Sequence, residues 1–126
     1  MRLLAALLIF FTGVVVLGGW TNHKLETSTG ELLKIIDSLA GAVEKKDWDQ
    51  AGKETARLEK SWEEKAGWWP VLLDHQEMDN IEFSLARIKE YVSAHDLALS
   101  RGQLSELREM VRHIPEKEAV TLKNIL

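Results

Sequence analysis

The chain contains no cysteine, and this absence removes several kinds of site. It excludes disulfide bonds, thiolate metal centres and a lipid attached to a cysteine near the N-terminus. Basic residues are also in deficit, because 16 lysines and arginines face 20 aspartates and glutamates, for a net charge of -4. The lysines are interleaved with glutamates, so we expect no nucleic-acid partner, since a nucleic-acid backbone requires a basic patch.

Familiar catalytic motifs are missing as well. The sequence has no nucleophile elbow, phosphate-binding glycine loop or zinc-protease helix, and no Glu-x-x-His pair of the ferritin type. Asp74 and His75 are adjacent, but neighbouring residues on a helix point about 100° apart and do not form a proton relay. We therefore predict that the protein is not an enzyme and needs no cofactor.

The sequence begins with a long uncharged segment. Residues 3–20 carry no charge and end at Trp20, a residue type common at membrane interfaces. As a helix this segment would be about 27 Å long, close to the hydrocarbon thickness of a bilayer. We interpret residues 1–22 as a transmembrane signal anchor that contacts the membrane through residues 3–20. Cleavage near residues 16–19, which would yield a secreted protein, and a buried core helix are the alternatives.

The charges that flank this segment predict its orientation. Arg2 and the terminal amine favour a cytoplasmic N-terminus, and Lys24 and Lys34 on the other side partly offset that bias. We expect a single-pass protein of the cell membrane with its N-terminus in the cytoplasm. Residues 23–126 would then form an extracytoplasmic domain.

Residues 23–126 show helical periodicity almost throughout. Ser28 and Glu31 have the spacing of a capping box and predict the start of a first helix. Asp47 and Gln50 offer a second cap, for a helix that ends at Gly67. The apolar stripes of these two helices contain Leu25, Leu32, Ile36, Leu39 and Val43, then Trp48, Ala51, Thr55, Leu58, Trp62 and Ala66.

The second half of the chain predicts two further helices and a short final segment. The third helix should begin near Pro70, the fourth should follow the break at residues 100–103, and Pro115 should end or kink it. Their stripes contain Met78, Ile81, Leu85, Ile88, Val92, His95 and Leu99, then Leu104, Leu107, Val111 and Ile114.

These elements predict an all-α fold, in which an N-terminal transmembrane helix is followed by an antiparallel four-helix bundle and a short C-terminal helical segment. A weak internal similarity supports two related helical hairpins. Shifting the chain by 56 positions lays the stripe that begins at Trp48 over the one that begins at Leu104.

The stretch around the second hairpin turn, WWPVLLDHQEMDNIE, is dense in aromatic, histidine and acidic residues. We interpret it as a structural corner in which the tryptophans pack and the histidine is buried and hydrogen-bonded. The residues of this predicted corner are Trp62, Trp68, Trp69, Pro70 and His75. The alternative is a metal or small-ligand site, for which the candidate ligands are His75, Asp79, Glu82 and Glu59.

One resemblance extends over nearly the whole chain. The apolar N-terminus, the stretch from Leu58 to Val92 and the closing TLKNIL are similar to the bacterial family known as domain of unknown function 4363. The similarity lies in the spacing of the tryptophans, the Asp74–His75 pair and the final residues. It implies a small membrane-anchored helical protein of Gram-positive, often spore-forming bacteria. It implies no reaction, and it suggests an accessory role beside another membrane protein.

Overall fold

A computed structural model describes residues 1–71 and 73–125, with the side chains of residues 1–70 and 73–115. Within these residues the chain is all-α and contains no strand. Its four α-helices are α1 (Arg2–Glu44), α2 (Trp48–Ala66), α3 (His75–Ser93) and α4 (Leu97–Ile125). A short 3-10 turn, Trp69–Val71, lies between α2 and α3.

Helix α1 combines two segments that differ in burial. The apolar residues up to Trp20 are exposed, whereas buried residues begin at Leu25 and continue to Val43. Ser28 lies inside this helix, so the predicted capping box does not begin a new one. Residues 2–44 contain no proline, and their glycines, including Gly18 and Gly19, keep a helical backbone. Nothing therefore ends the helix before Ser28. Residues 2–44 therefore form one continuous rod.

The four helices pack as a bundle around one apolar core. Helix α1 packs against α2 and α4, and α3 packs against the same two helices. The predicted stripes of α2 and α4 face this core, except that Trp48 and Ala66 are only half-buried. Fully buried side chains from all four helices include Leu32, Leu39, Leu58, Ile88 and Leu107.

The turn before α2 and the turn before α4 have the same structure. Lys46 and His95 both adopt a left-handed backbone, with φ of 57° and 56°. Asp47 then accepts a hydrogen bond from the N–H of Gln50, and Asp96 does the same for Leu99. The two turns are thus related by an offset of 49 residues and not by the predicted 56. An error of one heptad keeps the same helix face and therefore leaves the stripes matched.

The boundaries of α3 and α4 differ from those predicted. Helix α3 begins at His75 and not near Pro70, because Asp74 caps it by accepting a hydrogen bond from the N–H of Glu77 at 2.8 Å. It ends at Ser93, so α4 begins before the predicted break and includes Gly102. The predicted stripe of the third helix extended too far, to Leu99, which is exposed. The reason is that the same three- and four-residue spacing of apolar residues continues across the turn after Ser93.

Helix α4 also continues through Pro115 to Ile125. Of the two effects predicted for Pro115, an end or a kink, the end of the helix is therefore contradicted, and so is the separate segment after it. Proline removes one backbone hydrogen bond and usually kinks a helix without having to end it.

Candidate functional site

The predicted site began with His75, and the structure places this residue on the surface. His75 is the first residue of α3 and is exposed. The expectation of a buried histidine was therefore wrong. It failed because the preceding aspartate, Asp74, uses its side chain to cap α3 and starts the helix at the edge of the bundle.

The other candidate metal ligands are also dispersed. Asp79 and Glu82 are exposed on α3, and Glu59 is half-buried on α2, where its Oε1 lies 3.6 Å from Nζ of Lys89. This ion pair explains how a carboxylate is accommodated near the apolar face of α2. Among the described residues, no group of three or more histidine or acidic side chains is arranged to hold a metal ion.

The three predicted tryptophans of the corner do come together. The ring centroids of Trp62 and Trp69 lie 5.4 Å apart and those of Trp68 and Trp69 lie 6.1 Å apart, and both pairs are edge-to-face. Trp69 is completely buried at the centre, while Pro70 is exposed in the 3-10 turn. Edge-to-face aromatic pairs stabilise beyond the burial of their area, by about 0.5–1.5 kcal/mol each. The tryptophans thus fix the turn between α2 and α3.

A buried lysine lies one turn from this cluster and was not foreseen. Lys65 is 5% exposed, and its Nζ lies 2.8 Å from Oε2 of Glu31 on α1 and 3.0 Å from Oγ of Ser61. The sequence contained the signal, because Lys65 follows Trp62 by three residues along the buried stripe of α2. The pair joins α1 to α2 at the end of the bundle that lies nearest the exposed apolar segment.

A second lysine links the exposed apolar segment to the corner. Nζ of Lys24 lies 5.1 Å from the ring centroid of Trp20 on α1 and 5.0 Å from that of Trp68. Both distances are within the range of cation–π attraction. The sequence analysis placed Trp20 at a membrane interface and Trp68 in the corner. Nothing in their spacing indicated that Lys24 would contact both rings. We call Trp20, Lys24, Trp68 and Pro70 the proximal collar.

A groove of about 630 Å³ also opens between α3 and α4. Ile81, Met110 and Ile114 form its apolar floor, and Glu106 and Glu109 stand on its rim. None of the four candidate ligands predicted at the corner, His75, Asp79, Glu82 and Glu59, lines this groove. His113 does line it, and its Nε2 lies 3.3 Å from Oε2 of Glu109.

Comparison with known proteins assigns the family. A model of a domain of unknown function, DUF4363, matches residues 19–125. The chain belongs to this family. The match begins at Gly19, near the end of the exposed apolar segment, and covers the helical bundle. No curated protein and no solved structure matches the DUF4363 chain.

Proposed function

We propose that this DUF4363 protein is a single-pass membrane protein whose bundle acts by contact with another membrane protein. The observation that carries the proposal is the division of α1. Its N-terminal part contains an 18-residue stretch that is long and apolar enough to cross a membrane. No residue of this stretch is buried against the bundle. A core helix of a soluble domain would be covered, so its exposure favours lipid as the surrounding solvent.

The proposed architecture is an antiparallel four-helix bundle on the extracytoplasmic side of the cell membrane. Short turns between consecutive helices support the two hairpins, because short connections join antiparallel neighbours. The proposed domains are an anchor at residues 1–22 and a bundle at 23–126, with the N-terminus in the cytoplasm.

Exposed side chains of the bundle support a role in protein contact. Among the described side chains beyond Trp20, the large apolar ones that are exposed are Phe83 and Leu99, at 58% and 50%. A membrane anchor holds such a surface near its partner at high effective concentration, so a weak contact suffices.

Single-cysteine labelling tests the topology, and the absence of native cysteine makes it specific. We expect Ala94→Cys in the turn before α4 to react with a membrane-impermeant maleimide in intact cells. Leu8→Cys should stay unreactive even after gentle lysis, because the bilayer covers it. Reaction of Ala94→Cys only after lysis would reverse the orientation, and recovery of a chain lacking its first residues would indicate cleavage.

Photo-crosslinking in native membranes tests the partner. A photoreactive phenylalanine at position 83 should give a covalent adduct of discrete mass, whereas the same group at Ala56, on the exposed face of α2, should give little. Recovery of monomer alone from position 83, under conditions that trap known complexes, would contradict the contact role.

A further inference from the structure

We infer that the proximal collar is a second membrane contact, in which Trp68 and Pro70 rest in the lipid headgroup layer and Lys24 meets lipid phosphate. This inference rests on the proposed function, because it requires α1 to be anchored in a bilayer. It adds that the bundle touches the same bilayer through the turn between α2 and α3.

The first observation is the level of the collar along α1. Lys24 follows Trp20 by one helical turn, which is a rise of about 6 Å. The headgroup layer beyond the hydrocarbon is itself about 5–8 Å thick on each side of a bilayer. With Trp20 at the hydrocarbon boundary, Lys24 lies within that layer. Trp68 lies at the same level, because its ring contacts the ammonium of Lys24.

The second observation is the distribution of tryptophan. Four of the five tryptophans of the chain, Trp20, Trp62, Trp68 and Trp69, lie at this end of the bundle, and Trp48 lies in the opposite turn. Tryptophan is enriched where apolar carbon and water meet, because its ring is amphipathic. Trp69 and Trp62 are needed for the core, but Trp20 is 59% exposed and Trp68 is half-buried. These two rings have surface left for lipid.

The third observation is the chemistry of Lys24. Its ammonium lies over two aromatic rings and is exposed, which leaves its donors available to an anion. Lys65, in contrast, is buried and paired with Glu31. The exposed carboxylate of Asp74, in the same turn region as Trp68, accepts the hydrogen bond that caps α3. Lipid phosphate is the anion that a cation at this depth would meet, and a basic side chain near an anionic bilayer surface is attracted to it.

Depth measurement with single spin labels tests the inference. Leu8→Cys, Pro70→Cys and Ala94→Cys, each in the full chain, would be reconstituted in vesicles of phosphatidylcholine and phosphatidylglycerol. Collision rates with oxygen and with a water-soluble nickel complex report the depth of each label. We expect Leu8 to favour oxygen, Ala94 to favour nickel, and Pro70 to collide with nickel several-fold less often than Ala94 while remaining accessible to oxygen.

A matched pair of variants assigns the contact to the collar. In the Pro70→Cys background, Trp68→Ala should raise the nickel collision rate toward that of Ala94, whereas Trp48→Ala, which alters a half-buried tryptophan at the opposite end, should leave it unchanged. Circular dichroism would verify that each variant keeps its helices.

The outcomes separate the two proposals. Suppose that the Leu8 label lies in the bilayer but the Pro70 label is as accessible to nickel as the Ala94 label. This result would overturn the inference about the collar and leave the proposed anchor intact. A Leu8 label in water would overturn both. A Pro70 label shielded from oxygen and nickel alike would indicate protein in place of lipid and would also overturn the inference.

Discussion

Lys65 is the one charged side chain that is buried among the described residues. Its ammonium is nearly buried, while its partner Glu31 is 61% exposed at the side chain. Most of the desolvation cost therefore falls on the lysine. Replacing Lys65 and replacing Glu31 should therefore change the free energy of unfolding by different amounts.

We predict that Glu31→Ala lowers the free energy of unfolding by about 1–3 kcal/mol, because a buried donor loses its charged acceptor. Lys65→Met should change stability by no more than about 1 kcal/mol, since an apolar chain of similar volume replaces a buried charge at little cost. Chemical denaturation followed by tryptophan fluorescence measures both. A larger loss in Lys65→Met than in Glu31→Ala would contradict this account.

At the scale of the element, the two equivalent turns differ in one contact. Lys46 and His95 both hold a left-handed backbone, but the imidazole of His95 stacks on Trp48, with ring centroids 5.0 Å apart and planes within 1°. Glycine adopts this backbone without the cost of about 1–2 kcal/mol that other residues incur. The stack offsets part of that cost at His95 alone.

We predict that Lys46→Gly raises the free energy of unfolding by about 1 kcal/mol. His95→Gly should give little or no gain, because it removes a stacked pair worth about 0.5–1.5 kcal/mol. In the Trp48→Ala background the two glycine variants should become equally stabilising, and thermal unfolding measures the difference. Equal effects in the native background would show that the stack contributes nothing.

The two equivalent turns show which helix boundaries the sequence could predict. Asp47 was identified as a cap because it interrupts a clear apolar stripe, and α2 was predicted correctly from Trp48 to Ala66. Asp96 has the same function, but the stripe of α3 continues in phase across it, so hydrophobic spacing alone placed the turn too late. His75 was misjudged for a related reason. Spacing reports which face a residue occupies, but not where the helix begins relative to the edge of the core.

Contacts between distant side chains were the other part that sequence could not predict. Each tryptophan of the corner was expected to pack, and these three rings do meet. The contact of Lys24 with Trp68 depends on where the turn between α2 and α3 lies against α1. Hydrophobic periodicity in the sequence does not report that position.

Helix α1 is the element that joins the exposed apolar segment to the bundle. Leu8 and Glu26 are both exposed and lie five helical turns apart on one side of it. Spin labels at these two positions in bilayers should give a single narrow distance near about 27 Å. Gly19→Pro should broaden or shift that distance, because proline kinks a helix interior. A broad distribution in the parent chain would contradict a continuous rod.

At the scale of the whole molecule, the two ends of the bundle are chemically different. The end beside the exposed apolar segment carries the proximal collar, and the opposite end carries charged residues such as Lys45 and an ion pair between Arg101 and Glu44. The apolar segment contributes no buried residue to the core, whose first member is Leu25. The exposed apolar segment and the bundle should therefore be separable in stability although they share one helix.

We predict that a chain lacking residues 1–20 is soluble and unfolds cooperatively, because these residues contribute no buried side chain to the core. Sedimentation and far-ultraviolet circular dichroism measure the two properties. In this shortened chain Trp62→Ala should cost about 3–5 kcal/mol, since the ring is 4% exposed. Phe83→Ala, which alters an aromatic residue that is 58% exposed, should change stability by less than about 0.5 kcal/mol. An insoluble shortened chain would mean that the core requires the segment that the structure leaves uncovered. Equal effects of the two substitutions would contradict the placement of Trp62 in the core.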